Sequence, residues 1–191
     1  IITVSIDSEA MVWFLMRAAY GQEQKAQEFL ETKGIETFLP LQEHCFVRDG
    51  KRVKKMQSLI PNFLFVKSTE NEMKKYIGKH PVDFLHHYYV PHKDNSGNAI
   101  GTKGIKPLVI PDEQMDAFQQ WYAIHDDNKL FIADDKMHFS KNQQVKVIGG
   151  KFAGMCGRVC HIKGQSRVGI VISGVGIIFT AYIPKGMLEV L

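Results

Sequence analysis

Five cations, Arg48, Lys51, Arg52, Lys54 and Lys55, fall within residues 48–55, where Asp49 is the only opposing charge. Such a cluster suits phosphate, through counterion release, or an acidic protein surface; on an exposed hairpin, lysines also discourage edge pairing. Three cysteines, Cys45, Cys156 and Cys160, make an odd set, and Cys156-x-x-x-Cys160 has no second pair to complete a zinc site. They read as reduced thiols. His86 and His87 are adjacent, so on a strand they point to opposite faces and share no metal. No metal is expected. Paired carboxylates, a nucleophile beside a base, and a phosphate-cradling GxxxxGK[ST] loop are all missing from the sequence, which reads as a binding protein rather than an enzyme, with no cofactor.

The 191 residues are 45% hydrophobic, enough to form a core in one domain or two small ones. The longest uncharged apolar run, Leu59 to Val66, contains Pro61 and Asn62 and falls far short of the roughly 20 residues of a membrane span. Residues 1–10, IITVSIDSEA, lack the basic start and apolar core of a secretory signal and read as a loose extension, so a cytoplasmic monomer is expected. Charge is uneven along the chain. Residues 141–191 hold seven Lys and Arg against one acid, Glu189, whereas residues 126–140 hold four Asp against two Lys. A basic C-terminal piece suits a nucleic acid or a ribonucleoprotein surface, and it also suits plain solubility. The acidic stretch reads as a linker.

These groups need elements to hold them. Met11–Ala18, apolar on both alternating faces until Arg17, predicts a central strand. Gln22–Lys33 places Ala26, Phe29, Leu30 and Lys33 at helical spacing, with Gly34 as the cap. Strand formers from Ile35 to Val47, then Asp49-Gly50, then Val53 to Val66 predict a long hairpin with a basic tip. Thr69 and Glu72 fit a capping box for a short helix ending near Gly78, Val82–Val90 reads as a strand, and Lys93–Lys106 as a mobile loop. Pro111 suits the first turn of a third helix with Met115, Phe118 and Tyr122 on its buried face. Beyond residue 140 about five short strands with glycine-bearing turns predict a small all-β barrel. The fold class is therefore an α+β domain, a small mainly antiparallel sheet covered by helices, followed by a β domain. The expected boundaries are an extension over 1–10, a first domain over 11–125, a linker over 126–140 and a second domain over 141–191. Gly149, Gly150, Gly154 and Gly157 are expected to serve tight turns, with Phe152 between them as the best exposed candidate for partner docking.

Trp13-Phe14-Leu15-Met16-Arg17, Gly21-Gln22-Glu23, Phe38-Leu39-Pro40 and Ile60-Pro61-Asn62-Phe63-Leu64-Phe65-Val66 together resemble the N-terminal domain of the NusG family. The run from Val145 to Val159, around Gly149-Gly150-Lys151-Phe152-Ala153-Gly154, resembles the KOW motif that follows it in that family, an SH3-like barrel. Where the common form has Phe-Pro-Gly-Tyr, this chain has Ile60-Pro61-Asn62-Phe63, a version similar to specialised paralogues of the RfaH and UpxY type.

The resemblance implies a transcription elongation factor that binds the clamp helices and gate loop of RNA polymerase and suppresses pausing or termination, on a polysaccharide-type operon in the specialised form. It implies a polymerase-facing cavity of Tyr20, Leu39, Ile60, Pro61, Phe63 and Phe65; Phe63 and Phe65, two apart on a strand, share a face whether they dock a partner or fill their own core. It places Arg17, Gln22 and Lys25 where specialised paralogues read the non-template DNA strand, with cations on phosphate and an amide on a base edge; a solvated helix face is the plain alternative. The KOW domain would contact the ribosome or a termination factor. Two other readings stay open: a housekeeping NusG-type factor, and a KOW-containing RNA- or ribosome-binding protein.

Overall fold

The computed structural model describes residues 9–91, 105–133 and 143–191. The chain divides into two compact units, with the boundary between Val109 and Ile110.

In the first unit β1 (Val12–Ala18) is the central strand that its two-faced apolarity predicts. It lies antiparallel to β5 (Phe63–Ser68) and to β6 (Leu85–His87), β2 (Glu36–Phe38) extends the sheet beyond β5, and β9 (Val109–Ile110) also pairs with β1. Helix α1 (Glu23–Thr32) buries Ala26 and Leu30 in one core with Phe14, Met16 and Ala18 of β1 and Leu64 and Val66 of β5. Gly34 ends that helix at φ +73, as a left-handed glycine should. The capping box holds, since Thr69 Oγ accepts from the Glu72 N–H at 3.1 Å, but α2 (Glu70–Met73) ends after four residues and the chain reaches Gly78 in turns. The single strand expected over Val82–Val90 divides into β6 and β7 (Tyr89–Pro91), which pairs with β8 (Ile105–Pro107). Most of the loop expected over 93–106 lies outside the described residues; its last two positions belong to β8.

The basic hairpin is a separate two-stranded ribbon, β3 (Leu41–Arg48) with β4 (Lys51–Ser58). Asp49 and Gly50 both have positive φ, 51° and 74°, as a two-residue hairpin turn requires. The far arm does not continue to Val66. It breaks at Leu59–Asn62, where the chain turns into β5.

The second unit starts at Ile110, ahead of the linker and second domain expected from residue 126 onward. Helix α3 (Asp112–Ala123) belongs to it, not to the first domain, and buries Met115, Phe118 and Trp121, whereas Tyr122 is only half-buried. The indole N–H of Trp121 donates to the carbonyl of Phe179 at 2.9 Å, and Gln114 both donates to Ser173 Oγ (3.1 Å) and accepts from the Ser173 N–H (2.8 Å). The acidic stretch is not a plain linker either: Leu130–Ile132 forms β10. The rest of it, residues 134–140, lies outside the described residues. The five expected strands are present as β11 (Gln144–Val147), β12 (Cys156–Ile162), β13 (Gln165–Ile172), β14 (Gly176–Phe179) and β15 (Leu188–Val190). With β10 they form a six-stranded antiparallel sheet ordered β10-β14-β13-β12-β11-β15.

Two cations fix the segment between α3 and β10. The Lys129 ammonium donates to the carbonyls of Trp121 (2.8 Å), Tyr122 (2.9 Å) and Ile124 at the end of α3, and lies 4.5 Å from the Trp121 ring centroid. The buried Arg167 guanidinium donates to the carbonyls of Asn128 and Thr180, the latter at 2.9 Å. No helix among the described residues is long and apolar enough to cross a membrane.

Fragment 110–191 should therefore unfold cooperatively on heating, as followed by circular dichroism. Fragment 141–191, without α3 and β10, should melt at lower temperature or show no cooperative transition.

His87 supplies a pH test. Its ring is 7% exposed and packs 4.7 Å from the Phe14 ring, and neither ring nitrogen has a hydrogen-bond partner among the described residues. Burial pushes its pKa down to about 4, partly opposed by Glu70 and assisted by Lys74. The native state therefore holds His87 neutral while the unfolded chain takes up a proton below about pH 6.5. The stability this supplies is complete above that pH and is lost as pH falls towards about 4. The melting temperature should fall over this window, and His87→Phe should flatten the slope.

Candidate functional site

Two sequence signatures far apart in the chain meet at the start of α1. Asn62 sits at φ 67, a left-handed conformation that asparagine tolerates better than other residues with a Cβ. This turns the chain sharply between the hairpin and β5. Its backbone and its side-chain oxygen are all engaged: the carbonyl accepts from Ala18 N–H (2.8 Å), Oδ1 accepts from Gly21 N–H (3.1 Å), and the N–H donates to the carboxylate of Glu23. Glu23 is only 6% exposed, an unusual state for a carboxylate, and this hydrogen bond helps to account for it. The sequence offered Glu23 and Asn62 as parts of motifs, not as partners; a lone buried carboxylate on an amphipathic helix gives no clue to what it meets.

This junction sorts the six residues expected to line one polymerase-facing cavity. Tyr20 stands 90% exposed on the turn Ala19–Gly21, itself at φ 61, an exposed aromatic in strained backbone. Leu39 and Ile60 are each 7% exposed, and Leu39 belongs to the core beneath α1. Pro61 is exposed. Phe63 and Phe65 share a face, as expected: they pair with Arg17 and Leu15 of β1, on the side of the sheet away from α1. Their depths differ. Phe65 is fully buried with its ring 6.0 Å from that of Phe38, while Phe63 is half-buried and meets Tyr88 edge-to-face at 5.1 Å. The six therefore do not form one open cavity. Phe63, Tyr88 and the exposed Arg17 form an accessible patch at one end of that face, and Tyr88 is legible from the sequence only as a strand residue.

Leu39 and Pro61 instead border a groove of about 470 Å³ at the root of the hairpin, whose polar lining includes the Glu23 carboxylate beside Gln24, Gln42, His44, Lys55 and Gln57. Of the residues expected to read DNA, Arg17 is exposed at the end of β1, Gln22 is the half-buried residue preceding α1, and Lys25 lies 5.3 Å from the Phe84 ring centroid. Arg48, Lys51, Arg52, Lys54 and Lys55 are all exposed along the hairpin.

Phe152 is not the exposed docking residue expected. At 3% exposure it is interior, because Gly150 and Gly154, at φ +78 and +90, fold the loop so that the ring turns inward. Gly157 serves close approach rather than a turn: a Cβ there would lie 2.5 Å from the Gly169 carbonyl oxygen on the neighbouring strand. Burial pushes the Cys160 thiol up to about 11, with Arg167 opposing, which leaves it unreactive. Among the described residues no group of three or more His, Cys, Asp or Glu side chains is placed to hold a metal ion.

The junction predicts an order of stabilities. Asn62→Gly keeps the left-handed turn and loses one hydrogen bond, whereas Asn62→Ala loses the bond and adds roughly 1 kcal/mol of backbone strain. Melting temperatures should rank wild type, then Asn62→Gly, then Asn62→Ala. Glu23→Ala, which strips the Asn62 N–H of its charged acceptor, should cost about 1–3 kcal/mol in denaturant titration.

No curated protein matches the chain. The family model described as transcription termination factor nusG matches residues 11–119, from the start of β1 into α3. That span exceeds half of the chain and contains the central strand, the Glu23–Asn62 junction, the hairpin and the Phe63 face. Proteins of this family are transcription elongation and termination factors that bind RNA polymerase, and the chain is a member of the NusG family.

Proposed function

We propose that this chain is a specialised, operon-directed elongation factor that docks on RNA polymerase and suppresses pausing or termination. The observation that carries the docking is the half-buried Phe63, edge-to-face with Tyr88 and beside the exposed Arg17 on the sheet face away from α1. An aromatic pair with one accessible side and a neighbouring cation is the composition of a binding hot spot, and the clamp helices are its occupant in this reading. Phe65, fully buried on the same face, acts as support beneath that surface. The specialised assignment is favoured by Asn62, whose side chain ties the turn to Gly21 in a way that glycine there could not.

Arg17, Gln22 and Lys25, with the basic hairpin, contact nucleic acid in this scheme, including the non-template strand. The glycine-bearing run Gly149–Gly157 and the antiparallel strands around it favour a KOW domain of SH3-like form in the second unit. Its contact with the ribosome or a termination factor needs a surface other than Phe152. The exposed side chains of Ile148 and Met187, adjacent through the Ile148 N–H to Met187 carbonyl bond at 3.0 Å, are the better candidates.

Pull-down of core polymerase and a pause assay on candidate leaders test the proposal. Phe63→Ala should weaken polymerase binding by about 2 kcal/mol, close to 30-fold, with a modest change in melting temperature. Phe65→Ala should instead cost roughly 3–5 kcal/mol of stability. Lys25→Glu should leave polymerase binding nearly intact and weaken loading on a cognate non-template strand in a salt-dependent way. Equal polymerase binding by wild type and Phe63→Ala would overturn the docking face.

A further inference from the structure

The hairpin has two faces of different chemistry, fixed by its register. Pairing of Phe46 with Val53 and of His44 with Lys55 places Gln42, His44, Phe46 and Arg48 on one face with Lys51, Val53, Lys55 and Gln57. No acid stands on that face. Arg48 has only a distant, exposed contact with Asp49 in the turn, at 3.9 Å. The opposite face carries Glu43, Cys45 and Val47 against Arg52, Lys54 and Met56, and there Glu43 pairs with Lys54 at 2.9 Å. Phe46 and Val53, 40% and 37% exposed, are cross-strand partners and form an apolar pair on the acid-free face; on the opposite face the exposed Val47 and Met56 each stand across from a charged residue, Arg52 and Glu43.

That face runs into the groove at the hairpin root, because Gln42, His44, Lys55 and Gln57 belong to both. A primary amide presents a donor and an acceptor side by side, the pattern that matches a nucleobase edge. Gln24, Gln42 and Gln57 bring three amides to one groove of about 470 Å³, within the range of small-ligand sites; the acid in its lining, Glu23, is nearly buried and already accepts from the Asn62 N–H. An acidic protein surface would call for cations and has no use for this set. Cations at intervals, an exposed aromatic and an edge-reading groove are the elements of a single-strand track, since a base can enter such a groove only when unstacked.

We propose that the hairpin binds single-stranded nucleic acid along this one face, with phosphates on Lys51, Arg48 and Lys55, a base against Phe46, and an unstacked base in the amide-lined groove. The inference rests on the reading of the hairpin as a nucleic-acid contact, and it adds the face, the strandedness and the base-selecting subsite.

Lys51 and Arg52 are neighbours in sequence on opposite faces, so their reversal changes net charge equally and differs only in geometry. Fluorescence anisotropy of the full chain with labelled 12-residue DNA and RNA single strands, homopolymers and the matching duplex reads the result. Lys51→Glu should weaken single-strand binding about tenfold at low salt and lower the salt slope by about one, while Arg52→Glu should change affinity less than about twofold. The double variant Gln42→Ala/Gln57→Ala should erase the preference among homopolymers and leave the salt slope unchanged. The DNA and RNA arms identify which strand is the better ligand. Melting temperatures of all variants should stay near wild type, as these side chains are exposed or at the groove rim.

Equal losses from Lys51→Glu and Arg52→Glu would overturn the one-face assignment. So would tighter binding of the duplex, a base preference that survives the double variant, or no oligonucleotide binding by the wild type. If Lys51→Glu lost core polymerase in pull-down while holding the oligonucleotide, the face would be a protein contact and the proposal would fall. Failure here with Phe63-dependent polymerase binding intact would leave the function above standing; intact oligonucleotide selectivity with Phe63-independent polymerase binding would do the reverse.

Discussion

The first unit depends on one left-handed residue. Asn62 reverses the chain between the hairpin and the main sheet, and its three backbone and side-chain bonds tie that reversal to the end of β1, the turn after it and the first residue of α1. Because the carboxylate that receives its N–H is nearly buried, the interaction is made in low dielectric and is correspondingly strong. Asn62 leads directly into Phe63, the next residue, and its partners Gly21 and Glu23 line the groove at the hairpin root. The hydrophobic core supplies most of the stability and reaches the hairpin root through Leu39 and Leu41; this small polar cluster adds directional bonds at the turn into β5.

A different kind of constraint acts in the second unit, where a helix matched by the family model through residue 119 is packed on strands from the far end of the chain. Trp121 and Gln114 make that attachment directional, since both use hydrogen bonds to named atoms of β14 and the β13–β14 turn rather than contact area alone. Lys129 closes the end of the helix by meeting three carbonyls that would otherwise need water, and burial lowers its pKa with Asp126 opposing. The family relationship and the packing thus divide the chain at different places.

Much of this was legible from residues alone. The two-faced apolarity of Val12–Ala18, the stripe of Ala26 and Leu30, the Asp49-Gly50 turn and the alternation of the last five strands each report a period or a turn that local chemistry dictates. What could not be read depends on partners distant in sequence. An amphipathic stripe on α3 says that a face is buried, not against what. Leu130–Ile132 is too short to show alternation, and its acidic surroundings suggested a linker because the cations that hold them, Lys129 and Arg167, act through backbone carbonyls. Phe63 and Phe65 were rightly given one face, but depth along a strand is set by neighbours such as Phe38 and Tyr88, which no spacing reveals. Phe152 looked exposed because glycines usually mark loops at the surface; here they turn the ring inward.

The hairpin has one property that the main sheet does not share. In the main sheet a one-residue slip would carry the core face into solvent and unfold the domain. In the β3–β4 ribbon both faces are already in water, so a single-residue insertion or deletion in either arm would exchange the two sets of side chains beyond it at little cost to folding. Only the turn and a few cross-strand pairs, such as Phe46 with Val53, resist it. Recognition there can drift by changes in length that selection for stability scarcely sees, so members of one family can part ways in what they bind while their cores remain alike.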